Sequence, residues 1–266
     1  MTFVLDPAAV AAGYRIEVHD SLGSTSTQAL ARARAGEPGP LWVVTGEQTG
    51  GRGRRGKGWS WVAGNHAASL LWPVPPGLAP DRVATLGFVA GVAVERALRR
   101  ACGPGTDGRA PDFRLKWPND VLLDGAKLVG ILLEMETLPG RGAFVTVGVG
   151  VNVAGAPDGL PYAATSLAQA GYAVDAPGLF RLLTGAWVEA ERIWDEGRGF
   201  AGIREAWLSA AAGLNGPVSV QTGGRMVSGI FETIDEGGRL VVRLAEGDRV
   251  AVTAGEVHFG TAATAA

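Results

Sequence analysis

The sequence predicts an α+β fold in which a mixed sheet flanked by helices is followed by a small β-barrel. Three observations lead there. Short apolar or alternating runs, the pattern of strands, recur from Tyr14 to Val153. Amphipathic runs at helical spacing lie among and after them, and the period shortens again after Gly216, where short runs are separated by glycine turns.

Taken in order, Tyr14 to Val18 alternates as a strand, and Ser24 or Thr25 caps a helix through Ala35 that stops at Gly36. Leu41 to Thr45 reads as a buried strand and Asn65 to Trp72 as another, closed off by Pro73, Pro75, Pro76 and Pro80. Between them the glycine-rich stretch from Gly50 to Gly58 is expected to be a loop and neither regular element. Asp81 to Arg100 carries apolar residues at helical spacing and is expected to be one continuous helix, stopped by Gly103 and Pro104. Phe113 to Trp117, a turn at Pro118 to Asp120, and a hairpin of Val121 to Leu123 with Lys127 to Glu136 about Asp124-Gly125 come next, then a strand from Ala143 to Val153. Leu179 to Trp194 and Phe200 to Trp207 read as helices. The last strands are Val218 to Val220, Val227 to Phe231, Leu240 to Leu244 and Val250 to Val252, the periodicity of a small barrel.

The 266 residues fit one domain of about 200 residues and a small second one, expected at 1–213 and 216–266. With 47 % hydrophobic and 19 % charged residues the chain is not a disordered one. A net charge of -2 gives no field that would draw the whole protein onto nucleic acid or an anionic membrane, so an anion site has to be local. The lone Cys102 forms no intrachain disulfide and no cysteine metal cluster. Asp6 and Pro7 interrupt the apolar stretch a signal peptide needs, and no run approaches the roughly 18 apolar residues of a membrane helix. The expected location is the cytoplasm, with no membrane partner.

Four cations, Arg52, Arg54, Arg55 and Lys57, interleave with Gly51, Gly53, Gly56 and Gly58. Such a loop wraps oxyanions with exposed amides and paired charged hydrogen bonds. It is neither a GxxxxGK[ST] loop nor a dinucleotide GxGxxG. Its residues alone leave open anion or nucleotide binding, an RGG-like nucleic-acid segment, and a solvated turn; Trp59 and Trp61 beside it suit stacking on a base, covering an apolar ligand, or core packing.

The run Glu47-Gln-Thr-Gly-Gly-Arg-Gly-Arg-Arg-Gly-Lys-Gly-Trp59, then Lys116-Trp-Pro-Asn-Asp120, then Lys127-Leu-Val-Gly-Ile-Leu-Leu-Glu134, resembles the signature set of the biotin protein ligase family, the biotin–acetyl-CoA-carboxylase ligases. Ser24-Thr25 upstream, Gly148-Val-Gly-Val-Asn-Val153 downstream and a tail with Gly229, Ile234-Asp235, Gly238, Leu240 and Gly255-Glu-Val257 extend the likeness over nearly the whole chain. The resemblance implies the class II synthetase-like catalytic fold shared by biotin and lipoate ligases, with a C-terminal SH3-like β-barrel. It also implies activation of biotin by ATP and Mg2+ to biotinyl-5'-AMP, and transfer to a lysine of a biotin carboxyl carrier protein.

By the same resemblance Ser24, Thr25 and Gln48 surround the biotin ureido ring, and Gly51, Arg52 and Arg54 belong to the loop that closes on the acyl-adenylate. Trp59 covers the ligand, Lys127 binds carboxyl and phosphate oxygens, and Gly130 lets backbone approach biotin. Lys57, Lys116, Asn119 and Asn152 serve the nucleotide, and no protein ligand to a metal is assigned. The chemistry agrees: a carboxylate attacking an α-phosphate gathers negative charge, so cations must stabilise the transition state, and Arg54 and Lys127 are the catalytic candidates. No side-chain nucleophile is required. Asp120 is open to two readings, a turn cap or an assistant to the metal or the incoming amine. Val43, Val44, Leu132 and Val149 lie on strands able to line an apolar cleft.

The chain departs from the family pattern at Ser26, where Asn is common, at Lys57 in place of Arg, and at Gly50 in place of Ala. Lysine keeps the charge but lacks the bidentate fork. Only 23 residues precede Ser24, too few for a helix-turn-helix, so the short form of the family without a DNA-binding domain is expected and DNA is no partner. The other readings are a lipoate or octanoate transferase on the related fold, and a non-catalytic module that uses the basic loop for binding. The carrier is expected to dock by sheet-edge alignment, and the chain to act as a monomer or homodimer.

Overall fold

The computed structural model describes residues 2–104, 108 and 110–259. Its N-terminal elements are α1 (Pro7–Ala11), β1 (Arg15–His19), α2 (Thr25–Arg34) and β2 (Leu41–Thr45), then the short strands β3 (Gly51–Arg52) and β4 (Gly58–Trp59), and β5 (His66–Pro73). Two helices, α3 (Pro80–Ala84) and α4 (Leu86–Ala101), lead to β6 (Phe113–Lys116), β7 (Asp120–Leu123), β8 (Ala126–Leu138) and β9 (Gly142–Val151). After α5 (Ala176–Trp194) and α6 (Phe200–Ser209) come β10 (Pro217–Thr222), β11 (Arg225–Ile234), β12 (Leu240–Arg243), β13 (Arg249–Val252) and β14 (Glu256–Phe259).

Seven strands form a mixed sheet in the order β1-β2-β5-β9-β8-β7-β6, in which β1 and β2 are parallel and the remaining pairs antiparallel. The parallel pair requires a crossover, and α2 supplies it. Alternation sorts the central strands onto two faces. Leu41, Val43, Leu71 and Phe144 pack under Ala29 and Ala33 of α2, whereas Trp42, Val44, Leu70, Trp72, Val145 and Val147 join the large core with α4, α5 and α6. Short α2 covers only part of its face. Where it ends, that face carries Ala67 and Ser69 on β5, Gly148 and Gly150 on β9, and Gly130 on β8, residues too small to fill the layer. The cavity occupies the space they leave.

Two expectations about local structure need revising. The helix expected from Asp81 to Arg100 is divided at Thr85, whose hydroxyl donates to Arg82 O at 2.6 Å and accepts from Trp194 Nε1 at 2.7 Å. The basic glycine stretch is a small hairpin: Gly51 and Arg52 pair with Trp59 and Gly58 about a 3₁₀ turn at Arg54–Gly56. The bond from Gly53 N to Lys57 O at 2.7 Å tightens it. Gly51 is needed there, since a Cβ would lie 2.5 Å from Trp59 O and 2.7 Å from Gln48 Nε2.

The expected C-terminal barrel is not formed. The last strands make a five-stranded antiparallel sheet in the order β13-β12-β11-β10-β14, and among the described residues β13 and β14 do not pair, so the ladder stays open. Closure requires the two edge strands to exchange hydrogen bonds, and alternation reports which face a residue takes, not whether the edges meet. The apolar face is satisfied otherwise: Val220, Phe231, Leu240 and Val242 are continuous with the core of the large sheet. Trp117 Nε1 donates to Gly238 O at 3.1 Å and Arg204 Nη2 to Thr233 Oγ1 at 3.0 Å, tying the second sheet to the turn after β6 and to α6. Residues 260–266, the end of the expected second domain, and Met1 lie outside the described residues.

Candidate active site

A cavity of about 490 Å³ opens on the sheet face that α2 leaves bare. One end is lined by buried hydroxyls and an amide. Ser24 starts α2 by accepting from Thr27 N at 3.4 Å, which sets Thr25 and Ser26 in the first turn. Gln48 Oε1 accepts from Thr25 N at 3.0 Å and from the Thr25 hydroxyl at 3.2 Å. The Thr25 proton being spent there, Ser69 Oγ is the donor in its 2.8 Å contact with Thr25 Oγ1. The Gln48 amide group is thereby oriented with its Nε2 toward Gly51. This cluster is a fixed set of buried donors and acceptors, suited to a small amide-like group.

The floor is glycine. Gly130 and Gly150 are cross-strand partners on β8 and β9, and the Trp59 indole lies against both. A Cβ on Gly130 would fall 2.7 Å from Trp59 Cζ3 and one on Gly150 2.6 Å from Trp59 Cε2. Trp59 Nε1 is buried without a hydrogen-bond partner among the described residues.

Cations gather at the other end. A β-bulge between Val121 and Leu122 pairs Leu122 with Lys127 and leaves Leu128 as the extra residue. Leu128 and Val129 both enter the core, so the bulge turns Lys127 onto the cavity side, whereas strict alternation would have placed it on the core side with Val129 and Ile131. Lys127 Nζ lies 2.9 Å from Asp120 Oδ1, 5.9 Å from the Trp59 ring centre and 5.4 Å from that of Tyr162. Asp120, open in the sequence to a turn-cap role or to assisting the metal or the incoming amine, is here the ion-pair partner of Lys127.

Arg54 Nη1 donates to Asn119 Oδ1 at 3.0 Å, and Asn119 is held to β8 by Nδ2 to Ile131 O at 2.8 Å. Burial lowers the Arg54 pKa from its ordinary value, and repulsion from Arg55 adds to this against the pull of Asp120 and Glu256. Half-buried Lys116 is likewise lowered by burial and by Lys127, and its Nζ lies 5.5 Å from the ring centre of Phe259 on β14. Lys57 Nζ is 3.6 Å from Glu256 Oε1. The second sheet thus supplies one wall. Arg52 is paired with Glu134.

Thr25, Gln48, Arg52, Arg54, Lys57, Trp59, Lys116, Asn119, Lys127 and Gly130, all singled out in the sequence, line this one cavity, with Ser26. Ser24, Gly51 and Asn152 do not line it. Asn152 is buried behind the wall, its Nδ2 donating to Thr165 O at 3.1 Å and its Oδ1 accepting from Asn65 Nδ2 at 3.4 Å. Leu132 and Val149 line the cavity, while Val43 packs under α2 and Val44 in the large core. Sequence reasoning missed Ser69, Gly150, Tyr162 and Phe259 as wall residues. The Gly148-Val-Gly150 alternation opposite Gly130 was a usable signal for the floor; a loop tyrosine carries none.

Among the described residues no group of three or more His, Cys, Asp or Glu is placed to hold a metal, and no helix is long and apolar enough to cross a membrane.

The biotin/lipoate A/B protein ligase family model matches residues 19–152, and the biotin protein ligase C-terminal domain matches 213–260. A biotin–acetyl-CoA-carboxylase ligase of Paracoccus denitrificans is 44 % identical over 89 % of this chain and 97 % of its own length. The bifunctional ligase/repressor BirA of Bacillus subtilis is 33 % identical over 88 % of this chain and 71 % of its own. Among solved structures, a biotin protein ligase from Aquifex aeolicus in complex with biotin and ATP superposes with a TM-score of 0.75 at 23 % identity, covering 92 % of this chain and 98 % of that one.

Proposed function

We infer the chemistry of the site from one premise: the chain belongs to the biotin protein ligase family. It is an ATP-dependent ligase that activates biotin and transfers it to a protein lysine. The observation that carries our assignment of roles is the polarity of the cavity, with buried neutral donors and acceptors at one end, a glycine floor, and Arg54, Lys116 and Lys127 at the other. Biotin has the same polarity, a ureido ring at one end and a carboxylate at the other.

In this reading Thr25, Gln48 and Ser69 orient the ureido ring, and Ser24 and Ser26 set the helix turn that presents Thr25. The biotin carboxylate reaches Lys127, whose ammonium is already aimed into the cavity by the bulge and by Asp120. A carboxylate oxygen attacks the α-phosphorus of ATP, the bond from that phosphorus to the bridging oxygen of the β-phosphate breaks, and pyrophosphate leaves. Arg54 and Lys127 stabilise charge that grows on the phosphoryl oxygens. The carrier lysine then attacks the acyl carbon, AMP leaves, and an amide forms. Lys57, Lys116, Asn119 and Phe259 serve the nucleotide side, and Trp59 shields the mixed anhydride from water.

Mg2+ fits this site as an ion carried on the nucleotide's phosphates, where it supplies neutralising charge, since Mg2+ keeps much of its water and needs only one or two carboxylates; Asp120 and Glu256 line the cavity. We place a biotin carboxyl carrier protein as the acceptor on the strength of the family. The test is biotin-dependent pyrophosphate release from MgATP, with lipoate and octanoate in parallel and a carrier domain added afterwards. Release with biotin alone, followed by carrier labelling, supports the assignment; equal release with the other acids contradicts it.

A further inference from the structure

Residues 154–164 form a loop that is pinned at both ends. Asn65 Oδ1 accepts from Val153 N and Ala154 N, both at 2.9 Å, and from Gly155 N at 3.2 Å. At the far end Lys127 N donates to Ala163 O at 2.8 Å and Thr165 N to Lys127 O at 3.0 Å. The loop is thus stitched to the backbone of the very lysine that carries charge in the site. Tyr162 leaves it over that lysine. The residue is 46 % exposed, so it is not a core residue, and its ring centre lies 5.4 Å from Lys127 Nζ, with that of Trp59 at 5.9 Å.

We propose that Tyr162 is a positioning residue of the ligase, holding the Lys127 ammonium at the cavity through the face of its ring. A lysine is a point charge on a flexible four-carbon stem, and one carboxylate contact leaves it several rotamers. Asp120 alone is an awkward anchor, because an incoming carboxylate or phosphate competes with it for the same ammonium. A ring face attracts the cation without a formal charge and without competing for the substrate as a base, so it keeps its hold when anions arrive. A small cavity of about 30 Å³ borders Lys127 as well, with Trp59, Tyr162, Leu160 and Asn152 in its lining. This inference rests on the role given to Lys127 above.

The test is a double-mutant cycle of Tyr162→Leu and Lys127→Met, with Tyr162→Phe as the conservative variant. It is read by calorimetric binding of a non-hydrolysable biotinyl-sulfamoyl-adenosine and by single-turnover adenylate formation. A cation over a partly exposed ring predicts that Tyr162→Leu weakens analogue binding and slows adenylation about three- to tenfold. Tyr162→Phe stays within about twofold of wild type, and in the Lys127→Met background Tyr162→Leu changes binding less than about twofold. Equal losses from Leu and Phe, or the same loss in both backgrounds, overturn the inference alone. Wild-type behaviour of Lys127→Met overturns the reading of Lys127 and the inference with it.

Discussion

Gly150→Ala isolates the seat of Trp59. Gly150 lies on β9 between β5 and β8, bonded on both sides, so its backbone cannot yield. A methyl there would stand 2.6 Å from Trp59 Cε2, 2.7 Å from Nε1 and 2.9 Å from Cζ2, against the roughly 3.5 to 4.0 Å of ordinary carbon contact. The indole must rise by about 1 Å, which costs on the order of 1–3 kcal/mol by the usual penalty for overpacking. Because Trp59 belongs to β4, that cost falls on the hairpin Gly51–Arg52 with Gly58–Trp59, and opening of the loop should become about 5- to 150-fold more frequent. Trypsin, which cuts after Arg52, Arg54, Arg55 and Lys57, reads that opening when cleavage is slow relative to closing. Gly148→Ala is the control: it lies two residues away on the same face, and its methyl would meet Leu132 O and Ser69 Oγ at an ordinary 3.5 Å. Loop cleavage should accelerate in Gly150→Ala and stay at the wild-type rate in Gly148→Ala. Equal rates in the two variants would refute the cradle.

Two further predictions concern buried polar groups. Asn65→Ala removes the acceptor of three backbone N–H groups and the donor to Gly155 O at 2.8 Å; urea unfolding should show a loss of about 2–4 kcal/mol, and a loss under about 0.5 kcal/mol would contradict the brace described for this loop. His66 is fully buried on β5, neither ring nitrogen has a hydrogen-bond partner among the described residues, and burial lowers its pKa from 6.5 to about 4. The unfolded chain binds the proton below about pH 6.5 and the folded one only near pH 4, so the stability at stake is present above pH 6.5 and lost as pH falls through that window, about 3 kcal/mol in all. His66→Phe should lose about that much less than wild type between pH 7 and pH 4 in urea titrations; parallel losses would show that His66 is not the group responsible.

Much of the architecture was legible because it depends on local patterns. Ser24 or Thr25 announced the cap of α2, which Ser24 supplies, and the apolar run Leu41 to Thr45 announced a buried strand. Most candidate site residues meet in one cavity because the motifs that carry them fall at the cavity end of adjacent strands. What was not legible depends on register and on edges. One bulge decides that Lys127 and not Leu128 faces the cavity, and nothing in Lys127-Leu-Val-Gly130 marks it. Short alternating runs gave no information on whether β13 would meet β14, so a barrel was expected where an open sheet is found. Asn152 resembled a nucleotide contact; here its amide bonds Asn65, a residue far away in the chain, and Thr165 O, and no local pattern announces that pairing.

The most direct test of the site is single-turnover formation of biotinyl-adenylate by wild type, Arg54→Ala and Lys127→Gln, with unfolding transitions compared to show that each variant is folded. Loss of one preorganised cation from the reacting phosphoryl group predicts a rate about a hundredfold or more below wild type in each variant. A folded variant that forms the adenylate within about twofold of the wild-type rate would contradict the role assigned to that residue.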